Sequence, residues 1–223
     1  MVKITNNLIK EHDYYNKNFF KRLAKIYDYA EFLISHIRKE VVAKVSDKNA
    51  KILDVACGTG NQSVAFAKKR FSVIGIDLSK DMLRLAKTKV KSEYNLNFIY
   101  RDATKIPYKK STFDVSTISF GLHDMPEEIA IKILKEMKRV TKDNGQTLIV
   151  DYHKPKNVIK RFVGKIICKI WESKYYDHYM KLGLENYLDK TKFKIVNKKL
   201  FLLDNIQLVE CKKDLENEFN TKN

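Results

Sequence analysis

The sequence predicts an α/β fold: a doubly wound Rossmann-like sheet, mostly parallel, with an antiparallel C-terminal edge hairpin and an N-terminal helical lid. Three observations predict it. An apolar run, Lys51-Ile52-Leu53-Asp54-Val55, turns through Ala56-Cys57-Gly58-Thr59-Gly60 into a helical segment. From there short apolar strands alternate with amphipathic helices, the order that builds a parallel sheet with right-handed crossovers. An acidic residue then stands at or just past the end of each of the first three strands: Asp54, Asp77 and Asp102.

Each element follows from its local pattern. Residues 8–44 read as helical, with Phe20, Leu23, Ile26 and Tyr27 at helical spacing. The polar stretch Ser46-Asp47-Lys48-Asn49 breaks that helix before the first strand. Strands are expected at 51–56, 71–76, 96–100, 113–118 and 145–152, and helices near 61–69, 79–92 and 127–141. Ser79 is placed to cap the second of these helices, with Asp81 in its first turn. Pro126 suits the start of the third, followed by Glu127 and Glu128. Ala130, Ile133, Leu134, Met137 and Val140 give that helix one apolar face. Asp143-Asn144-Gly145 is expected to stop it and turn the chain. Beyond residue 154 a long helical segment covers 156–181, and strands at 192–198 and 201–211 form the edge hairpin. The domain reading is a lid over 1–45, one α/β domain over 46–211 and a polar tail over 212–223.

Length and composition bound the function. A chain of 223 residues suits one α/β domain with a small extra element. No run of eighteen apolar residues is present, and the N-terminus has no apolar signal core, so a cytoplasmic location is expected. Cys57, Cys168 and Cys211 are too few and too scattered for a disulfide scaffold or a structural metal site, so no metal is expected. The net charge of +17 invites a nucleic-acid partner. The excess is Lys spread along the whole chain, with only seven Arg, which reads better as a solvated surface than as a base reader.

The strand-end carboxylates suggest a nucleoside cofactor. Gly58 and Gly60 permit a sharp turn and a close backbone approach. Asp77 can accept from both hydroxyls of a ribose. Asp102 can accept from an adenine amino group, with the Ala103 N–H donating beside it. A dinucleotide is the competing reading. The third glycine of its motif is replaced by Ser63, and Asp54 would lie close to a pyrophosphate of like charge.

With these segments in view, residues 51–152 resemble class I S-adenosylmethionine-dependent methyltransferases, most closely the branch that includes the ubiquinone/menaquinone C-methyltransferases. The matching stretches are Ile52–Gly60, Gly75–Ser79, Arg101–Pro107, Phe113–Asp114 with Ser119–Leu122, and Gly145–Asp151. The resemblance implies S-adenosylmethionine as cofactor. It implies that Asp54 and the backbone of Ala56, Gly58 and Gly60 hold the methionine end. Asp77 would hold the ribose, Leu78 would pack on the adenine, and Asp102 and Ala103 would read its edge. Ser119 or Phe120 would offer a backbone carbonyl to the methionine amine. Tyr27, followed by Asp28, resembles the element that closes over the cofactor. Cys57 departs from the glycine that many members carry.

The expected acceptor is a small molecule, quinone-like or otherwise hydrophobic, with RNA or protein as the alternative. The fourth-strand loop lacks an Asn-Pro-Pro-Tyr element, and no Pro-Cys pair exists for cytosine chemistry. His123, in that loop, is the leading candidate for a general base, followed by Tyr152 and His153 at the end of the fifth strand. Tyr14, Tyr15 and Tyr27 are candidates to wall the pocket. Val158, Ile159, Phe162, Val163, Ile166, Ile167, Ile170 and Trp171 form an apolar stripe, with Lys156, Lys160, Lys165 and Lys169 off it. Packing against the sheet or a subunit is the favoured reading of that stripe. Peripheral contact with an anionic membrane is the other.

Overall fold

A computed structural model describes residues 34–168 and 174–214, with side chains described up to Gly164 in the helix that ends the first of these stretches. The chain forms two compact units, Met1–Pro107 and Tyr108–Asn223. Tyr14, Tyr15, Tyr27 and most of the expected lid lie outside the described residues.

In the first unit three parallel strands run in the order β3-β2-β1: β1 is Lys51–Val55, β2 Ser72–Asp77 and β3 Leu96–Tyr100. Ile52 to Val55 are all buried, so this strand is apolar without alternation, as a parallel strand covered on both faces must be. Residues 34–43 form helix α1, which buries Ile37, Val41 and Val42. Helices α2 (Asn61–Ala67) and α3 (Lys80–Thr88) follow β1 and β2. The expected cap of α3 is present: the Met82 N–H donates to Ser79 Oγ at 3.3 Å.

In the second unit the order is β4-β5-β7-β6. Strands β4 (Phe113–Ser119) and β5 (Thr141–Tyr152) are parallel, and β7 (Ile206–Lys213) runs antiparallel to both β5 and β6 (Phe193–Phe201). The doubly wound, mostly parallel architecture with its antiparallel C-terminal hairpin is therefore present. Helix α4 (Glu127–Val140) carries the expected apolar face inward.

Three features depart from expectation. No turn separates α4 from β5: the strand starts at Thr141, and Asp143-Asn144-Gly145 is absorbed in a register shift opposite Phe113 and Val115. Gly145 is needed there because a Cβ would meet the Asp114 carbonyl oxygen at 2.6 Å. The long helix expected over 156–181 is described as two pieces, α5 (Val158–Cys168) and α6 (Tyr176–Leu182), and a further helix, α7 (Leu184–Thr191), fills a stretch given no element by the sequence pattern. Finally, Val158, Ile159 and Phe162 do not pack on the sheet but are exposed. Among the described residues no helix is long and apolar enough to cross a membrane.

Candidate active site

Parallel strands end where their crossover loops begin, and side chains at those ends share one edge of the sheet. In the first unit Asp54 pairs with Gly75, Val55 with Ile76, and Asp77 with Tyr100, so Asp54, Asp77 and Asp102 cluster at that edge. Asp54 is buried and accepts a hydrogen bond from Ser63 Oγ at 2.5 Å. Ser63 thus does more than replace a glycine: it ties α2 to this carboxylate. Burial pushes the Asp54 carboxyl up to about 7, against the Ser63 bond and the positive charge of Arg38.

The turn after β1 is built from left-handed residues, with φ of 50° at Ala56, 54° at Gly58 and 77° at Gly60. The Gly58 N–H donates to Asp77 Oδ2 at 2.8 Å, and the Ser79 N–H to Oδ1 at 2.7 Å. Each oxygen can accept a second bond. Burial raises the Asp77 carboxyl above its ordinary range, and these backbone bonds oppose the rise. A Cβ on Gly58 would meet nothing within 4 Å, which leaves room beside Asp77 for a ligand. Gly60 is glycine for a different reason: a Cβ there would lie 2.5 Å from Phe98 Cζ and 2.9 Å from Ala86 Cβ. Burial also pushes the thiol of Cys57, inside the same turn, well above its usual range.

Asp102 follows β3, and its Oδ1 accepts from the Thr104 N–H at 2.8 Å. That is the turn reading of the residue. Its other oxygen makes no hydrogen bond among the described residues. Leu78 and Ala103 are half-buried. Asp77 and Asp102 thus each retain acceptor capacity beyond the backbone N–H groups they already bind.

The second unit holds the other candidates. Ser119 ends β4, and its Oγ is buried with no hydrogen-bond partner among the described residues, an unmet group of the kind a ligand can satisfy. Phe120 has φ 55°, and its N–H donates to the Val150 carbonyl at 2.8 Å. His123 lies in a 3-10 turn, Leu122–Asp124. It is buried, with Nδ1 2.6 Å from Asp151 Oδ1 and Nε2 3.3 Å from Asp124 Oδ1. Burial alone would push the imidazole down. Asp124 and Asp151 outweigh it and bring His123 up to about 9. This ring holds its proton at neutral pH, so the base expected of His123 is not what its surroundings favour.

Asp151 was not singled out by the sequence as a site residue, yet it organises this region. It is fully buried at the end of β5, where it also accepts from the Leu122 N–H at 3.0 Å and the Tyr152 N–H at 2.8 Å. The available signal was a carboxylate closing the apolar run Leu148-Ile149-Val150. Tyr152 is half-buried among aromatic rings, 4.6 Å from His123, 5.2 Å from Tyr176 and 5.8 Å from Phe120 between centroids. Tyr179, buried behind it, donates its hydroxyl to the Tyr152 carbonyl at 3.3 Å. His153 Nδ1 lies 2.7 Å from the Asp204 carbonyl. A carbonyl only accepts, so Nδ1 carries a proton, and in the neutral ring the lone pair lies on Nε2.

Comparison with known proteins bears on this arrangement. The ubiE/COQ5 methyltransferase family matches residues 8–193. The chain is 30% identical over 210 residues to a demethylmenaquinone methyltransferase of Staphylococcus haemolyticus, covering 85% of this chain and 84% of that one. It is 32% identical over 170 residues to the protein of the same name in Staphylococcus saprophyticus, covering 70% and 72%. A solved S-adenosylmethionine-dependent methyltransferase from Aquifex aeolicus shares the fold, with a TM-score of 0.61 at 20% identity over 78% of this chain and 88% of that one.

Proposed function

The chain belongs to the ubiE/COQ5 methyltransferase family and is an S-adenosylmethionine-dependent methyltransferase; we propose that it methylates a ring carbon of a quinone-type acceptor in its reduced, hydroxylated form. The aromatic enclosure of Tyr152 by Phe120, His123 and Tyr176 carries the proposal, because a flat aromatic acceptor packs well against such rings. The staphylococcal relatives, named as demethylmenaquinone methyltransferases, support the same acceptor class. Peripheral contact with an anionic membrane belongs to this reading.

The residues divide the work between cofactor and acceptor. Asp54 takes the methionine amine, with the backbone of Ala56, Gly58 and Gly60 around it. Asp77 takes the ribose hydroxyls. Leu78 packs on the adenine, whose edge Asp102 and Ala103 read. The catalytic domain spans 46–211. When bound, the cofactor supplies a methyl group already activated on a sulfonium. The protein then mainly has to align the acceptor, which is catalysis by orientation.

One proton must leave the acceptor carbon for each methyl it gains. His153 Nε2 is the basic nitrogen suited to receive it. His123 is a positioning residue: its buried charge neutralises Asp151 and Asp124 and fixes the shelf under Tyr152.

The test uses purified protein, S-adenosylmethionine and a short-chain demethylated naphthoquinol. A ring-methylated product is expected. His153→Gln should lower kcat about 10²-fold or more with cofactor affinity unchanged. No methylated quinol under these conditions would overturn the acceptor, and an unchanged kcat in His153→Gln would remove the base.

A further inference from the structure

We infer that the first half of α5 and the β6–β7 turn form one surface that docks on an anionic phospholipid bilayer. The inference rests on the quinone-type, lipid-soluble acceptor proposed above. Val158, Ile159 and Phe162 are 66%, 74% and 64% exposed on α5, and Leu203 is 55% and Leu202 37% exposed in the turn. A water-soluble helix normally turns such a face inward.

The two segments are bound into a single platform. Asn205 Nδ2 donates to the carbonyls of Lys160, Leu202 and Leu203 at 3.0, 3.0 and 3.2 Å. Lys160 Nζ pairs with Asp204 Oδ2 at 2.6 Å. Gly164 lets the helix lie against Asn205, where any side chain would collide.

The turn is also strained. Leu202, Leu203 and Asp204 have φ of 47°, 54° and 66°, three successive non-glycine residues in the left-handed region. Leucine rarely adopts it. The Asn205 bonds to the Leu202 and Leu203 carbonyls hold the turn in this form, with both leucine side chains presented to solvent.

Charge selects the occupant. From Tyr152 to Trp171 and from Lys190 to Leu203 the sequence has no Asp or Glu. Lys154, Lys156, Lys160 and Arg161 flank the apolar residues of α5, whose first turn carries no acid to balance the helix dipole. Lys194, Lys198 and Lys199 lie on β6 before the turn. Exposed apolar groups within a basic rim are the pattern of interfacial binding to anionic lipid.

The platform connects to the candidate acceptor residues. The His153 N–H donates to the Asn205 carbonyl at 2.8 Å, and His153 Nδ1 to the Asp204 carbonyl at 2.7 Å. The turn that would enter the lipid is thus pinned to the residue after Tyr152, an arrangement suited to taking an acceptor from the bilayer.

Vesicle sedimentation of the full chain tests this. Wild type should bind phosphatidylglycerol/phosphatidylcholine vesicles and not phosphatidylcholine alone. Ile159→Glu with Phe162→Glu, and separately Leu203→Glu, should each weaken binding about tenfold or more. Both variants should keep wild-type S-adenosylmethionine affinity and methylate a soluble quinol normally, which separates failure of docking from failure of the acceptor reading. Wild type that ignores anionic vesicles, or variants that bind as well as wild type, would overturn the inference. So would a wild-type dimer that the substitutions dissociate, since a second copy would then be the occupant.

Discussion

Asp77 is the residue on which cofactor affinity should depend most. Its oxygens each hold one backbone N–H, so the carboxylate is already oriented before any ligand arrives. Asp77→Ala should weaken S-adenosylmethionine binding by roughly ten- to a hundredfold by calorimetry, the loss of one or two charge-assisted hydrogen bonds. Unchanged affinity would place the ribose elsewhere. Asp54 should make that affinity pH-dependent. The proposed pairing with the methionine amine needs the ionised carboxyl, which burial holds near 7. Affinity at pH 6 should therefore be about tenfold weaker than at pH 8, and Asp54→Asn should flatten the profile. For His123 the sign is opposite. The folded protein keeps its proton up to about 9, against 6.5 for the unfolded group, so this stabilisation is complete below 6.5 and is lost as pH rises through 9. Asp54 is half titrated near 7 and fully ionised by about one unit above it, so the fall in urea midpoint as pH then rises through 9 should report His123 and shrink in His123→Gln.

Among the elements, the turn after β1 is held by packing as much as by ligand geometry. Phe98 of β3 occupies the space that a side chain on Gly60 or Gly75 would need. Gly75→Ala puts a methyl 2.6 Å from Phe98 Cδ1 and should cost about 1–3 kcal/mol in urea unfolding, with Phe98→Leu restoring part of it. No loss would mean that the ring has room to move. Elements with strong local signals were legible: the apolar run of β1, the Ser79 cap and the inward face of α4. The strand-end carboxylates were legible too, because a parallel sheet places strand ends along one edge. What sequence alone missed depended on contacts distant in the chain. The start of β5 at Thr141 is set by pairing with Phe113, which overrides the turn chemistry of Asp143-Asn144-Gly145. The proton on His123 is held by Asp124 beside it together with Asp151, 28 residues away, and the second of these was out of reach of a local reading. The exposure of α5 was hidden because an apolar stripe looks the same whether it meets a sheet or a bilayer.

For the molecule as a whole, the chemistry is divided along the chain. The carboxylates suited to the cofactor lie in the first unit, and the aromatic and imidazole groups suited to the acceptor lie in the second. The net charge of +17 gave the sequence a nucleic-acid reading, but it comes from dispersed lysines. On the proposed reading, Tyr152 and its aromatic neighbours suit a single flat ring. Incubating the protein with methyl-labelled S-adenosylmethionine and extract from its own source, then separating lipid, metabolite, RNA and protein fractions, tests the central claim most directly. Label in a lipid-soluble quinone fraction, absent with Asp77→Ala, is the predicted result. Label confined to RNA or protein would contradict it.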